Sequence, residues 1–271
     1  MLHTSKSFTT NYPLEEADVV FLGIPFDSTA YSEGNQRYGP LTIKQALKHR
    51  TSYQPDLKIN PLKELKIHDA GEIDIVPGNY SKTENIIEET IDEIKETNPN
   101  AFIVSLGGEH LISLAIAKSL NPKTIVQLDA HKDLDEDLNG NKFAHNTWVK
   151  RIKEEKPEIE LIQKGTRQYS EYKNEEIKIK NMENLNEIEE PIYLTIDMDI
   201  FDPCYAPDVA YPEPFGKNPE EVDEILNQLF RKKIIGMDIC EVSSKQINNR
   251  TSYLASWLIL RALSRLQKNK V

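Results

Sequence analysis

Six side chains in three short segments have the types and spacing to hold divalent cations. They are His110 in Leu106-Gly107-Gly108-Glu109-His110; Asp129, His131 and Asp133 in Val126-Gln127-Leu128-Asp129-Ala130-His131-Lys132-Asp133; and Asp197 and Asp199 in Leu194-Thr195-Ile196-Asp197-Met198-Asp199. In extended backbone, residues two apart share a face, so Asp129, His131 and Asp133 are expected to converge at the end of a strand. Asp197 and Asp199 sit in an otherwise apolar run with no Arg or Lys beside them, and two buried carboxylates side by side are untenable unless a cation compensates them. Mixed carboxylate and imidazole ligands suit Mn²⁺ or Zn²⁺, and the lack of cysteine among them disfavours a structural zinc site. If some carboxylates bridge, the set is enough for two ions, and two ions about 3.5 to 4 Å apart can turn a shared water into a nucleophile near neutral pH. A histidine at a helix start, taken alone, reads more readily as capping or packing than as a ligand; the three segments together are far more specific.

Something must bring these segments to one place. Val19 to Gly23, Ala101 to Leu106, Thr124 to Leu128, Ile192 to Ile196 and Ile234 to Ile239 are short apolar β-rich runs, the signature of buried parallel strands. Thr42 to His49, Thr83 to Glu96, Leu111 to Leu120, Pro219 to Lys232 and Ser252 to Leu266 carry apolar residues three and four apart and predict amphipathic covering helices. Strand and helix alternate with no linker, repeat or low-complexity tract, which predicts one α/β domain over residues 1–271 with helices on both faces of one sheet. Ligands of such folds bind beyond the carboxyl ends of the strands, and the acids and histidines lie where the apolar runs stop.

A formal net charge of −11 argues against nucleic acid and anionic membranes as partners and favours cationic ligands. No tract approaches the roughly 20 apolar residues of a membrane helix. The start, Met1-Leu2-His3-Thr4-Ser5-Lys6, lacks the features of a secretory signal, so a cytoplasmic location is expected. Cys204 and Cys240 are then expected to be free thiols in buried packing. Glu88-Glu89 and Glu154-Glu155 read as solvated helix faces, as His3, His49 and His68 read as inert.

At these residues the sequence resembles the ureohydrolase (arginase/agmatinase) family, whose pattern has a Gly-Gly-acid-His, an Asp-Ala-His-x-Asp and an Asp-x-Asp-x-x-Asp-Pro segment in this order. Looser likeness extends over Gly23-Ile24-Pro25-Phe26-Asp27, Arg37-Tyr38-Gly39-Pro40, Asp69-Ala70-Gly71-Glu72 and Asp238-Ile239-Cys240-Glu241-Val242, nearly the whole chain. The resemblance implies a three-layer αβα sandwich with a largely parallel, about eight-stranded sheet, assembled as trimers or hexamers. It implies two Mn²⁺ per subunit, other divalent metals being acceptable: one held by His110, Asp129, Asp133 and Asp197, the other by His131, Asp129, Asp197 and Asp199. It also implies that Glu241 holds the substrate guanidinium, that Asp133 orients the attacking water and that His145 shuttles a proton to the leaving amine.

The motif spelling is most like agmatinases, implying agmatine and water as substrates and putrescine and urea as products. The acidic stretch Leu134-Asp135-Glu136-Asp137-Leu138-Asn139-Gly140 also suits a cationic tail better than the amino-acid head that an arginase reads. The chain departs from the pattern at Leu111, where Ser is common, at Asn146, where Gly is common, and through Asp208 to Gly216. Arginase or another guanidino or formimino hydrolase of the family is the alternative. A non-catalytic metal-binding paralogue is a second, opposed by the presence of His145 and Glu241. A two-metal phosphoesterase is a third, but it requires a phosphate cradle that the sequence does not show.

Overall fold

In the computed structural model, which describes residues 12–30, 34–168, 180–181 and 188–270, the apolar runs form one parallel sheet. The strands are β1 (Val19–Ile24), β2 (Ile67–Glu72), β3 (Phe102–Gly107), β4 (Thr124–Leu128), β5 (Glu160–Lys164), β6 (Lys180–Asn181), β7 (Ile192–Asp197) and β8 (Ile234–Cys240). They lie in the order β2-β1-β3-β8-β7-β4-β5-β6, and every pairing is parallel. Seven are full strands; β6, at the edge, is two residues long. The five expected strands and the sheet type are as read from sequence. β2, β5 and β6 were not anticipated, because His68, Asp69 and Glu72 in β2 and the charged ends of β5 blur the apolar signal.

Parallel strands need crossovers, and helices supply them. They are α1 (Gly39–His49), α2 (Pro61–Glu64), α3 (Tyr80–Thr97), α4 (Ile112–Leu120), α5 (Trp148–Glu155), α6 (Pro219–Leu229) and α7 (Arg250–Lys268). Alternate residues of each strand feed two cores. Val19, Phe21, Val104, Leu106, Leu194 and Ile196 pack with apolar residues of α1, α6 and α7 on one face. Val20, Leu22, Ile24 and Ile103 pack with those of α3, α4 and α5 on the other. Local chemistry sets the helix starts: the Asn218 side chain accepts from Glu221 N and the Glu221 side chain accepts from Asn218 N, with Pro219 as the first helical residue, while the Asn249 side chain caps α7 at Ser252 N. α5 carries no clear apolar pattern in sequence, since five of its eight residues are charged; Trp148, Val149 and Ile152 anchor it in the core.

The register matters for function. Leu106, Ile239, Ile196 and Leu128 pair side by side across β3, β8, β7 and β4, so these four neighbouring strands end at one level. The next few residues of each strand are the acids and histidines singled out above. Cys240 is buried as expected, whereas Cys204 is exposed: it sits on the loop after β7, where its N–H bonds Asp202. Both thiols are free. The N-terminal segment Met1–Lys6, with His3, lies outside the described residues. No helix among the described residues is long and apolar enough to cross a membrane.

Candidate metal centre

β3 runs into Gly107-Gly108 and packs its end against the end of β1: Gly108 N donates to Ile24 O at 2.8 Å and Glu109 N to Phe26 O at 2.7 Å. A Cβ at Gly108 would collide with the Phe26 backbone, so only glycine permits this approach. His110 follows, 1 % exposed, with Nδ1 3.0 Å from Asp129 Oδ2, 3.0 Å from Asp133 Oδ2 and 3.4 Å from Asp197 Oδ2. His131 Nδ1 lies 2.8 Å from Asp199 Oδ2 and 3.6 Å from Asp129 Oδ1. Two groups of potential ligands result, His110 with Asp129 and Asp133, and His131 with Asp129 and Asp199. Asp129 belongs to both, one oxygen toward each.

All six candidate residues converge, though not by the expected strand alternation. β4 stops at Leu128, and Asp133 takes a left-handed backbone (φ 52°); Asp199 sits in a 3-10 turn, Met198–Ile200, after β7. Tertiary bonds hold these conformations: Trp148 Nε1 and Gln127 Nε2 donate to Asp133 Oδ2 at 2.8 and 3.3 Å, Gln127 Nε2 also to Asp129 Oδ2 at 2.6 Å, and Ala130 N to Asp199 Oδ1 at 2.9 Å. Asp197 Oδ1 accepts from Asp199 N at 2.8 Å. Asp202, the last acid of the third segment, points elsewhere and organises its own loop by accepting from Cys204 N and Gly216 N.

Whether this set fits metal ions is decided by His110. Its Nε2 is 2.8 Å from Thr195 Oγ1, whose own proton goes to Asp238 Oδ1 at 2.9 Å. Thr195 must therefore accept, so Nε2 carries a proton and Nδ1 is the nitrogen left to hold a cation, either a proton or a metal ion. That Nδ1 is buried with no hydrogen-bond partner, and it faces three carboxylate oxygens. The three carboxylates stabilise a cation at Nδ1: burial opposes the charged imidazole, yet without metal they raise it well above its ordinary value. Separations of 3.0 to 3.4 Å are those of neighbouring ligands around an ion with bonds of about 2.1 Å, so a divalent ion can take the place of that proton. The residues fit divalent metal. Cys240 also comes near His110 and Asp238, but burial pushes its thiol well up and its Sγ donates to Asp238, so it buttresses the site as a neutral thiol.

Electrostatics agree. Burial, then Asp199 and Asp129, drives Asp197 well above the usual carboxylate range, and burial, then Asp129, raises Asp133 to about 7. Burial would raise Asp129 too, yet the neighbouring His110 and His131 outweigh it and hold it low. Burial opposes the charged form of His131, but Asp129 and Asp199 lift it to about 12.

Glu241 begins the loop after β8, again with a left-handed backbone (φ 66°), a strain of about 1 to 3 kcal/mol that persists only where surroundings over-determine it. Its Oε1 accepts from His110 N at 2.8 Å and its Oε2 from Gln36 Nε2 at 3.1 Å; burial raises its carboxyl to about 7. His145 N donates to Thr29 Oγ1 at 3.1 Å, and Thr29 donates to the fully buried Glu109 at 2.7 Å. The imidazole stacks on Tyr211 with centroids 5.5 Å apart. Burial, then the charge of His131, lowers His145 to about 4, so the ring is neutral at neutral pH.

Sequence reasoning missed several residues here. Gln127, Thr195 and Asp238 carried a usable signal, being polar residues in apolar strands; Thr29, Gln36 and Arg167 carried none. The Arg167 guanidinium donates to Asp199 O at 2.6 Å and to Glu213 O at 2.8 Å, tying the ligand turn to the rim loop Asp208–Gly216. Glu213 Oε1 consequently lies 3.8 Å from His131 Nε2. In that loop Phe215 adopts φ 62°, a left-handed conformation that favours glycine, and its side chain is 94 % exposed. Asn146 bonds Asp135 Oδ2 through Nδ2 at 2.9 Å, and Leu111 is buried in the core. The acids expected to face a cationic tail are engaged locally, Asp135 by Asn146, Glu136 by Lys150 and Asp137 by Gly140 N.

Known proteins share the sequence pattern and the fold. The "Arginase family" model matches residues 17–264. The agmatinase of Pyrococcus horikoshii is 35% identical over 96% of both chains, and the N(1)-aminopropylagmatine ureohydrolase of Thermococcus kodakarensis is 32% identical over 98% of both. The solved agmatine ureohydrolase of Thermoplasma volcanium superposes with a TM-score of 0.83 at 28% identity, over 96% of this chain and 93% of that one. Matched along almost its full length in sequence and in fold, the chain belongs to the arginase family.

Proposed function

We propose that residues 1–271 form one amidinohydrolase domain that uses two divalent ions, Mn²⁺ foremost, to convert agmatine and water into putrescine and urea. The carrying observation is the meeting of four adjacent strand ends, which sets His110 Nδ1 among carboxylates beside a buried, doubly anchored Glu241. His110, Asp129, Asp133 and Asp197 would hold one ion and His131, Asp129, Asp197 and Asp199 the other. When bound, such a pair lowers the pKa of a shared water and supplies a nucleophile near neutral pH.

The chain's own residues do the rest. Glu241 takes guanidinium N–H groups on the oxygen lone pairs that His110 N and Gln36 leave open, and so fixes the guanidinium carbon. Asp133 accepts a hydrogen bond from the water and aims it. A C–O bond forms at the guanidinium carbon, the C–N bond to the alkyl chain breaks, and the departing amine takes a proton. His145, neutral and held by Thr29, accepts a proton from solvent or water and delivers it to that amine.

The agmatine assignment draws on the relatives' names and on Glu213, whose partly exposed carboxylate beside His131 offers an anionic partner to a tail ammonium. A putrescine-forming enzyme of the cytoplasm, assembled as a trimer or hexamer, completes the reading by likeness to the family. The test is urea release by manganese-loaded protein on agmatine, N1-aminopropylagmatine, arginine, guanidinobutyrate and formimidoylglutamate. Agmatine should have the highest kcat/KM. Arginine outpacing it would overturn the substrate, and tight ligand binding with no turnover on any compound would mark a non-catalytic paralogue.

A further inference from the structure

Gln36 lies in the turn before α1, 1 % exposed and far in sequence from Glu241, to which its Nε2 donates at 3.1 Å. A primary amide beside a carboxylate can face it only with its N–H₂ end, since the flipped amide would set two acceptors together. The amide is thereby locked, and its carbonyl oxygen Oε1 is left buried with no hydrogen-bond partner among the described residues. Buried acceptors are seldom left unpaired, so this carbonyl calls for a donor. Glu241 Oε1 is occupied on one side by His110 N, and the amide that carries Oε1 of Gln36 is bonded to Glu241 Oε2, so the unpaired carbonyl lies within one amide width of the carboxylate.

We infer that Gln36 is a specificity-determining residue: its Oε1 accepts an N–H of the substrate's second terminal NH₂ group while Glu241 takes the first, so the pair reads a guanidinium and rejects a formimino group. The inference rests on the reading that Glu241 holds the guanidinium, and names what that site distinguishes. An alkylguanidinium carries two NH₂ groups on its central carbon. A formimino group has C–H in place of one of them and leaves Gln36 Oε1 buried and unpaired. Sites built to bond an N–H discriminate strongly against analogues that lack it, because their own polar groups then go unsatisfied.

The experiment uses a matched pair with one tail and one charge, agmatine and N-(4-aminobutyl)formamidine, with putrescine release as the common readout on manganese-loaded protein. The wild-type protein should favour agmatine in kcat/KM by at least about 10-fold, since an unpaired buried acceptor carries a discrimination of that order. Gln36→Met and Gln36→Leu, which remove the acceptor, should shrink that preference to about 3-fold or less, chiefly through the KM for agmatine, at unchanged metal content. A purely structural role would slow both substrates alike and keep their ratio; that result overturns the inference, as does wild-type protein with no preference. The wild-type ratio is read without any substitution, so a variant that fails to fold does not remove the test. Wild-type protein that hydrolyses neither compound sinks the underlying reading, a failure distinct from loss of selectivity alone.

Discussion

Removing metal should invert the pH dependence of stability, and the structure says by how much. In the metal-free protein burial raises the carboxyls of Asp133 and Glu241 to about 7, and Asp129 and Asp199 raise His131 to about 12. A group whose folded pKa lies above its unfolded value binds more protons folded than unfolded between the two, so stability falls as pH rises through that window. For Asp133 and Glu241 the window runs from about pH 4 to about 7; for His131 it opens at about 6.5. His145, lowered to about 4, works the other way between about 4 and 6.5. Burial raises Glu109 to about 8 and Asp238 to about 6, so these two add to Asp133 and Glu241. From about pH 5 to 7 the raised groups outweigh His145 by roughly two to three protons, a net loss of about 3 kcal/mol per pH unit, with His131 replacing Asp238 above about pH 6.5. Divalent ions displace those protons, so metal affinity and the stabilisation it brings grow with pH. Urea unfolding of chelator-treated and manganese-saturated protein from pH 5 to 8 reads both curves. Metal-free protein as stable at pH 8 as at pH 5.5, or unmoved by saturating Mn²⁺, would refute the electrostatic argument for the site.

Two further predictions concern residues behind and beside the metals. Thr195→Val keeps the shape but removes the acceptor of His110 Nε2 and a donor to Asp238, which retains Ser113 and Cys240; metal affinity by calorimetry should fall about 10- to 100-fold, and unchanged affinity would mean that Thr195 does not set the His110 tautomer. His145→Asn should lower kcat for agmatine by about 100-fold or more with metal content unchanged, and a small amine in the buffer should restore part of the rate; full activity in the variant would remove His145 from the proton path.

What could be read locally was read well. Strands β1, β3, β4, β7 and β8 are buried on both faces, and such strands write themselves into sequence as continuous apolar runs, so acids interrupting those runs stood out. Types and spacing of residues alone therefore determined the α/β class, the six ligand candidates and the need for a cation among them. β2 and β5 carry polar residues that only their neighbours in the ladder make into strand. Backbone shape at the ligands also depended on distant partners: Asp133 turns left-handed under Trp148 and Gln127, not along an extended strand. The tertiary structure alone decided which ordinary residues meet the site, bringing Gln36 to Glu241, Thr29 to Glu109 and His145, and Thr195 to both His110 and Asp238. The physical reason is that a hydrogen bond between strand ends is fixed by the order of strands in the sheet, and no local run of residues encodes that order.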